Sequence, residues 1–232
     1  LLAEACEYSD VSLEEALQAA ERAFGLVTDL HGADSKHPRV IKAREVHGRA
    51  LSRAGKLPEG IAQLQRALDD ATEVFGAHSS TVGFLAGNLA LYLRQRGEIA
   101  AAIASFDRAL EIHGRNVRQE SFTYLAPLGG RGMVLIAARR GEAALRDLTQ
   151  AAEGFRKIFG PEHEETLIVE FHRALALAYT GRAQDAQKVL APVLQQYRTK
   201  YRDPVYLPYR ALSAAGVTLR LDGKPLAGVA LH

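Results

Sequence analysis

The sequence predicts an all-α protein, a right-handed superhelical solenoid of antiparallel helix pairs, on three observations. Five glycines, Gly55, Gly97, Gly141, Gly181 and Gly223, follow one another at 42, 44, 40 and 42 residues, a spacing that belongs to repeat architectures. The stretches on both sides of each glycine place apolar residues at helical spacing, so each glycine reads as the turn of a helical hairpin. The linker "FGAHSST" at Phe75 returns as "FGPEHEET" at Phe159, 84 residues or two periods later.

Composition agrees. The 232 residues are 47% hydrophobic and 24% charged, with 8 Pro and no Trp, which suits a helical protein with a sizeable core. Cys6 is the only cysteine, so neither an internal disulfide nor a cysteine-rich metal site is available, and a cytoplasmic setting is the default expectation. Apolar runs such as "MVLIAA" at Met133 are far short of the roughly 18 residues that span a bilayer, so no membrane partner is expected. The opening "LLAEACEYSDVS" lacks the pattern of a secretory signal and reads as the cut edge of a longer chain. A net charge of +2, from 29 basic and 27 acidic residues, argues against a surface that coats nucleic acid.

The elements follow in order along one solenoid domain, 1–232. Ser12 with Glu15 forms a capping-box pattern ahead of "ALQAAERAF", the second helix of a partial repeat over 12–32. Full repeats are expected over 37–76, 79–116, 119–160 and 163–201, with a further partial repeat over 203–232. Around Gly97, Leu85, Leu89 and Leu93 stripe the helix before the turn, and Ile99, Ile103, Phe106 and Leu110 stripe the helix after it. Small residues stand where paired helices must approach: Gly48, Ala90, Val134, Ala174 and Gly216 before the turns, and Gly60, Ala102, Ala186 and Gly228 after them. The third repeat is irregular, because Ala144 and Ala151 take these roles only if its turn is two residues shorter. Its "APLGGRG" at Ala126 also puts Pro and three glycines where a helix should begin. Asp203 and Pro204 mark a helix start, and "GKPLAGVALH" at Gly223 matches "GKLPEGIAQL" at Gly55, so the sequence stops inside a helix.

These small positions, with an aromatic or Leu nine after the turn at Leu64, Phe106 and Leu190, resemble the tetratricopeptide repeat, whose usual period is about 34. The longer period and the "FG-x-x-H" linker resemble its kinesin-light-chain type. The resemblance implies a non-enzymatic scaffold that binds a partner peptide in a concave groove lined by the first helix of each pair, often within a bacterial signalling or transcription-regulatory protein. It also implies a groove asparagine that holds peptide backbone, which matches only Asn88 here.

No spacing argues for catalysis, a cofactor or a metal. "GGRG" at Gly129 follows no strand and lacks the dinucleotide-loop spacing. His37, His78 and His163 recur in separate linkers and suit capping or loop packing better than one metal, whose ligands must converge within about 2.1 Å. Counting back from each turn glycine, the expected groove residues include Arg49, Arg53, Phe84, Asn88, Arg94, Arg131, Arg139, His172, Tyr179 and Arg210. Eight cations face one acid, Glu45, which points to an acidic or phosphorylated partner segment, since guanidinium forks bind carboxylate and phosphate in pairs of hydrogen bonds. Arg53, Arg94 and Arg139 also sit in a last helical turn, where the helix dipole favours a cation whatever the function. The alternatives are a sensor of a small acidic ligand that controls a separate catalytic domain, and a structural solenoid that oligomerises through its terminal repeats. Nucleic acid, which arginines with aromatics also suit, is the third choice of ligand because the net charge is near zero.

Overall fold

Residues 12–200 are described by the computed structural model. They form α1 (Leu13–His31), α2 (Pro38–Arg53), α3 (Leu57–Phe75), α4 (Ser80–Arg96), α5 (Ile99–Asn116), α6 (Phe122–Ala137), α7 (Gly141–Phe159), α8 (Glu164–Tyr179) and α9 (Ala183–Lys200), with no strand among them. The all-α repeat fold is therefore present as the sequence predicts. The chain divides between Gln119 and Glu120 into two compact units, α1–α5 and α6–α9. The partial repeat expected over 203–232, with Asp203, Pro204, Arg210 and Gly223, lies outside the described residues, as does Cys6.

Helix starts correct the expected irregularity of the third repeat. First helices begin at 38, 80, 122 and 164, and second helices at 57, 99, 141 and 183, so the period is 42 throughout. Gly141 is not the turn residue but the first residue of α7. Its expected place is taken by Arg139 with φ 58°, where the other turns have Gly55 (85°), Gly97 (88°) and Gly181 (79°). A left-handed residue must end each first helix, and the third repeat accepts the steric cost of a side chain there. Re-registered on Arg139, the small position is Gly132 and not Val134, and Ala144 and Ala151 fall into line.

Close approach explains the small residues. A Cβ on Gly48 of α2 would lie 2.9 Å from the Gly60 carbonyl oxygen of α3, and one on Gly132 of α6 would lie 2.6 Å from Leu148 Cγ of α7. Larger side chains at these crossings would hold each pair apart and uncover the fully buried Leu64 and Leu148 beneath. The same requirement makes α6 a continuous helix in spite of Pro127 and its glycines, since Gly129, Gly130 and Gly132 are all buried. Here packing outweighs the poor helix propensity that the sequence displays.

The linkers start the next helix. Ser12 and Glu15 of α1 make the full capping box. His37 and His163 use Nδ1 to accept the backbone N–H two residues on, each at 3.2 Å, and so cap α2 and α8. His31 stacks on His37 at 4.0 Å and Phe159 on His163 at 4.4 Å, which accounts for an aromatic ring ahead of the capping histidine. His78 has no such role, because Ser79 caps α4.

Candidate peptide-binding face

In the first unit, α2 and α4 are successive first helices and their facing residues meet around one buried carboxylate. Glu45 is 1% exposed and accepts from Lys42 Nζ (2.5 Å), Arg49 Nη1 (3.1 Å) and, across the helix boundary, Asn88 Nδ2 (3.2 Å). Helical spacing puts Lys42 and Arg49 within reach from the same helix, three and four residues away. The only acid of the expected groove is therefore a tie between helices, and it occupies two of the expected cations and one amide hydrogen of Asn88.

Arg49 reaches further. Burial works to weaken its proton affinity, but its bonds to Glu45 and Tyr92 outweigh burial and leave it charged more firmly than an ordinary arginine. Tyr92 is 9% exposed, and desolvation raises its phenol against the opposing pull of Arg49 and Arg53. Arg53, one turn on from Arg49, has a buried Nη2 with no hydrogen-bond partner. An orphaned buried guanidinium nitrogen is costly to leave unmet, so it marks where an acceptor would be welcome. Nearer the start of the two helices stand exposed apolar groups: Val46 is 40% and Phe84 43% exposed, with Lys42 Nζ 5.6 Å above the Phe84 ring. Arg94 lies partly buried in the last turn of α4.

The second unit does not present the expected counterpart. Arg131 turns to α7, where Nε and Nη2 clasp both oxygens of Asp147 at 2.7 and 3.0 Å. The register explains this, because Arg131 is eight residues before Arg139 and shares the contact side that packs on the second helix. The positions that replace it and its neighbours are Ala126, Gly129, Gly130, Met133, Ile136 and Ala137, none of them charged. His172 is 8% exposed with Nδ1 on the Ile168 carbonyl at 2.8 Å, and Phe171 is buried with Leu190, Val193 and Tyr197. Tyr179 is 58% exposed and Arg139 is exposed at its turn. Arg210 lies outside the described residues. Among the described residues, Lys42, Arg49, Arg53 and Arg94 gather in the first unit, while Arg139 alone of the expected cations is exposed in the second.

Sequence reasoning missed Tyr92 and Asp147. A strict 42-residue register would have moved Arg131 out of the groove positions, but nothing in the sequence names Asp147 as its partner. Tyr92 stands five before its turn glycine, outside the positions counted, and nothing in the sequence marks it. Among the described residues, no three His, Cys, Asp or Glu side chains are placed to hold a metal, and no helix is long and apolar enough to cross a membrane.

The family model of the tetratricopeptide repeat matches residues 39–114 and 123–199, one match to each unit. The chain belongs to the tetratricopeptide repeat family. No curated protein matches it significantly. Among solved structures, the repeat shares its fold with BtubC (BKLC) from P. vanneervenii, at 19% identity over 92% of this chain and 85% of that one, with a TM-score of 0.72. TPR-like repeats of a protein described as a kinesin light chain from Podosopora anserina give 19% identity over 82% and 89%, with a TM-score of 0.67. YrrB, described as a TPR protein with an unusual peptide-binding site, gives 18% over 87% and 93%, with a TM-score of 0.52. At these identities the likeness is one of fold.

Proposed function

We propose that this tetratricopeptide repeat chain is a non-catalytic scaffold that binds an acidic or phosphorylated segment of a partner protein on the shared face of α2 and α4. The carrying observation is the unpartnered buried Nη2 of Arg53 beside Arg49 and Tyr92, on helices that also expose Val46 and Phe84 nearer their starts. Arginine and aromatic groups around an apolar patch are the composition of binding hot spots. A carboxylate or phosphate of the partner meets the Arg53 fork, and apolar side chains of the same segment cover Val46 and Phe84. The place of the module within a bacterial signalling or transcription-regulatory protein rests on the sequence resemblance.

The test is calorimetric titration of acidic and phosphorylated peptides selected by display against the intact chain. Arg53→Ala should weaken binding by about 2 to 5 kcal/mol, the range for truncating one partner of a desolvated charge pair. Arg66→Ala should change it little, since Arg66 pairs with Asp34 at the surface. Affinity should also fall with salt, which screens charges beyond about 8 Å at physiological ionic strength. Equal affinities for wild type, Arg53→Ala and Arg66→Ala would place the site elsewhere.

A further inference from the structure

The 84-residue duplication permits a comparison of like positions in the two units, and one differs sharply. In the first unit Arg108 of α5 reaches across to α3 and donates from Nη2 to Thr72 Oγ1 at 2.8 Å, closing the gap between these second helices. Eighty-four residues on, Arg108 is replaced by Pro192 and Thr72 by Arg156. Proline has no arm to close the gap, and a cleft of about 330 Å³ opens between α7, α8 and α9, with both residues in its lining.

The cleft combines an apolar floor with a charged mouth. Leu167 and Val193, both 3% exposed, lie at the base, and Val189 and Pro161 join Pro192 in the walls. Glu170, 5% exposed, draws two guanidinium groups to the site: Arg156 from α7 through Nη2, and Arg173 through Nε and Nη2, each at 2.7 Å. The Arg156 side chain remains 48% exposed, while Lys188, paired with Asp185, and Glu162 complete the charged lining. In the first unit Ala86 and Leu89 stand where Glu170 and Arg173 are, so no repeat constraint calls for charges here. Arg156 and Arg173 share one buried acid beside apolar surface, and the unused donors of an arginine fork match a carboxylate.

We infer that this cleft is a second binding site, independent of the α2 and α4 face, for a carboxylate carried on a compact apolar body. The volume lies at the small end of ligand pockets, which limits the body to roughly a single ring or short chain. A free organic acid and the C-terminal carboxylate of an apolar residue share this chemistry.

Ligand-observed NMR and titration of the intact chain with four probes distinguish these sources. The probes are phenylacetate, N-acetylphenylalanine and the neutral amide of each. Binding of phenylacetate alone identifies a free acid, and binding of both acids identifies a site open to chain termini. Each amide should bind about tenfold more weakly than its acid, as expected when a charge-assisted hydrogen bond is replaced by a neutral one. Val189→Phe should abolish acid binding by filling the cleft, Arg156→Gln should weaken it several-fold without filling it, and Arg53→Ala should leave it unchanged. No acid binding at millimolar concentration, equal binding of acids and amides, or indifference to Arg156→Gln would overturn the inference.

Discussion

Single residues in this repeat serve either as close contacts or as charge ties, and Glu45 is the clearest tie. Glu45→Ala leaves Arg49 and Asn88 without their shared acceptor at the boundary of α2 and α4. Breaking a buried ion pair costs about 3 to 5 kcal/mol, and the exposure of Lys42 and part of Arg49 brings the expected loss to about 2 to 3 kcal/mol, measurable by urea unfolding. His113 shows the opposite environment, since desolvation lowers its pKa against a weaker opposing effect of the Gly83 backbone. Desolvation is also the first cause of the lowered values of His31 and His47. An imidazole depressed in the folded state takes up its proton first in the unfolded chain. Stability is therefore full above the unfolded value of about 6.5 and is lost as pH falls through it. Unfolding free energy measured from pH 7.5 to 5 should decline, and His113→Gln should flatten that decline; an unchanged slope would remove His113 from the cause.

Turns decide where each helix ends, and the third turn does so with a side chain in a backbone region that favours glycine. Arg139→Gly should raise stability by about 0.5 to 1 kcal/mol, because relief of left-handed strain exceeds the added freedom of the unfolded chain. Gly97→Arg should cost a similar amount. Thermal unfolding of both variants checks the pair, and a loss on Arg139→Gly would mean that the arginine side chain contributes more than its strain. Helix existence and type were readable from the apolar stripes of α3, α4 and α5. The third turn was not, because Gly141 lies two residues from the residue that holds the left-handed conformation, and glycine identity alone cannot report φ.

Across the described residues, a single 42-residue unit recurs with its small and apolar positions intact, and function lies in the departures from it. One departure is α1, a second helix that leaves Leu26 71% and Leu30 72% exposed on one side. The positions of α3 that correspond to Leu26 and Leu30 are Leu68, buried, and Thr72, which accepts from Arg108 of α5. We propose that this side supports self-association of the chain, since Leu26 and Leu30, one turn apart, form an exposed apolar surface. Sedimentation equilibrium should show a concentration-dependent larger species that Leu26→Lys with Leu30→Lys abolishes; a monomer at all concentrations would reject the proposal.

The sequence by itself determined the all-helical class, the repeat, its family and most helix positions, because apolar periodicity, turn residues and caps are local and each is written within a few residues of where it acts. It also placed Arg49, Arg53, Asn88 and Phe84 on neighbouring first helices. Only the tertiary structure decided which charges are spent. Arg131 is bound to Asp147 from a different helix, Glu45 takes Lys42, Arg49 and Asn88 together, and Arg53 is left with an unmet nitrogen against Tyr92. The opening between α7 and α9 was equally hidden, since it depends on Pro192 lacking an arm that Arg108 has two repeats earlier. Pairing and desolvation arise between elements distant in sequence, so a count of arginines on one helix face cannot reveal which of them remain available to a partner.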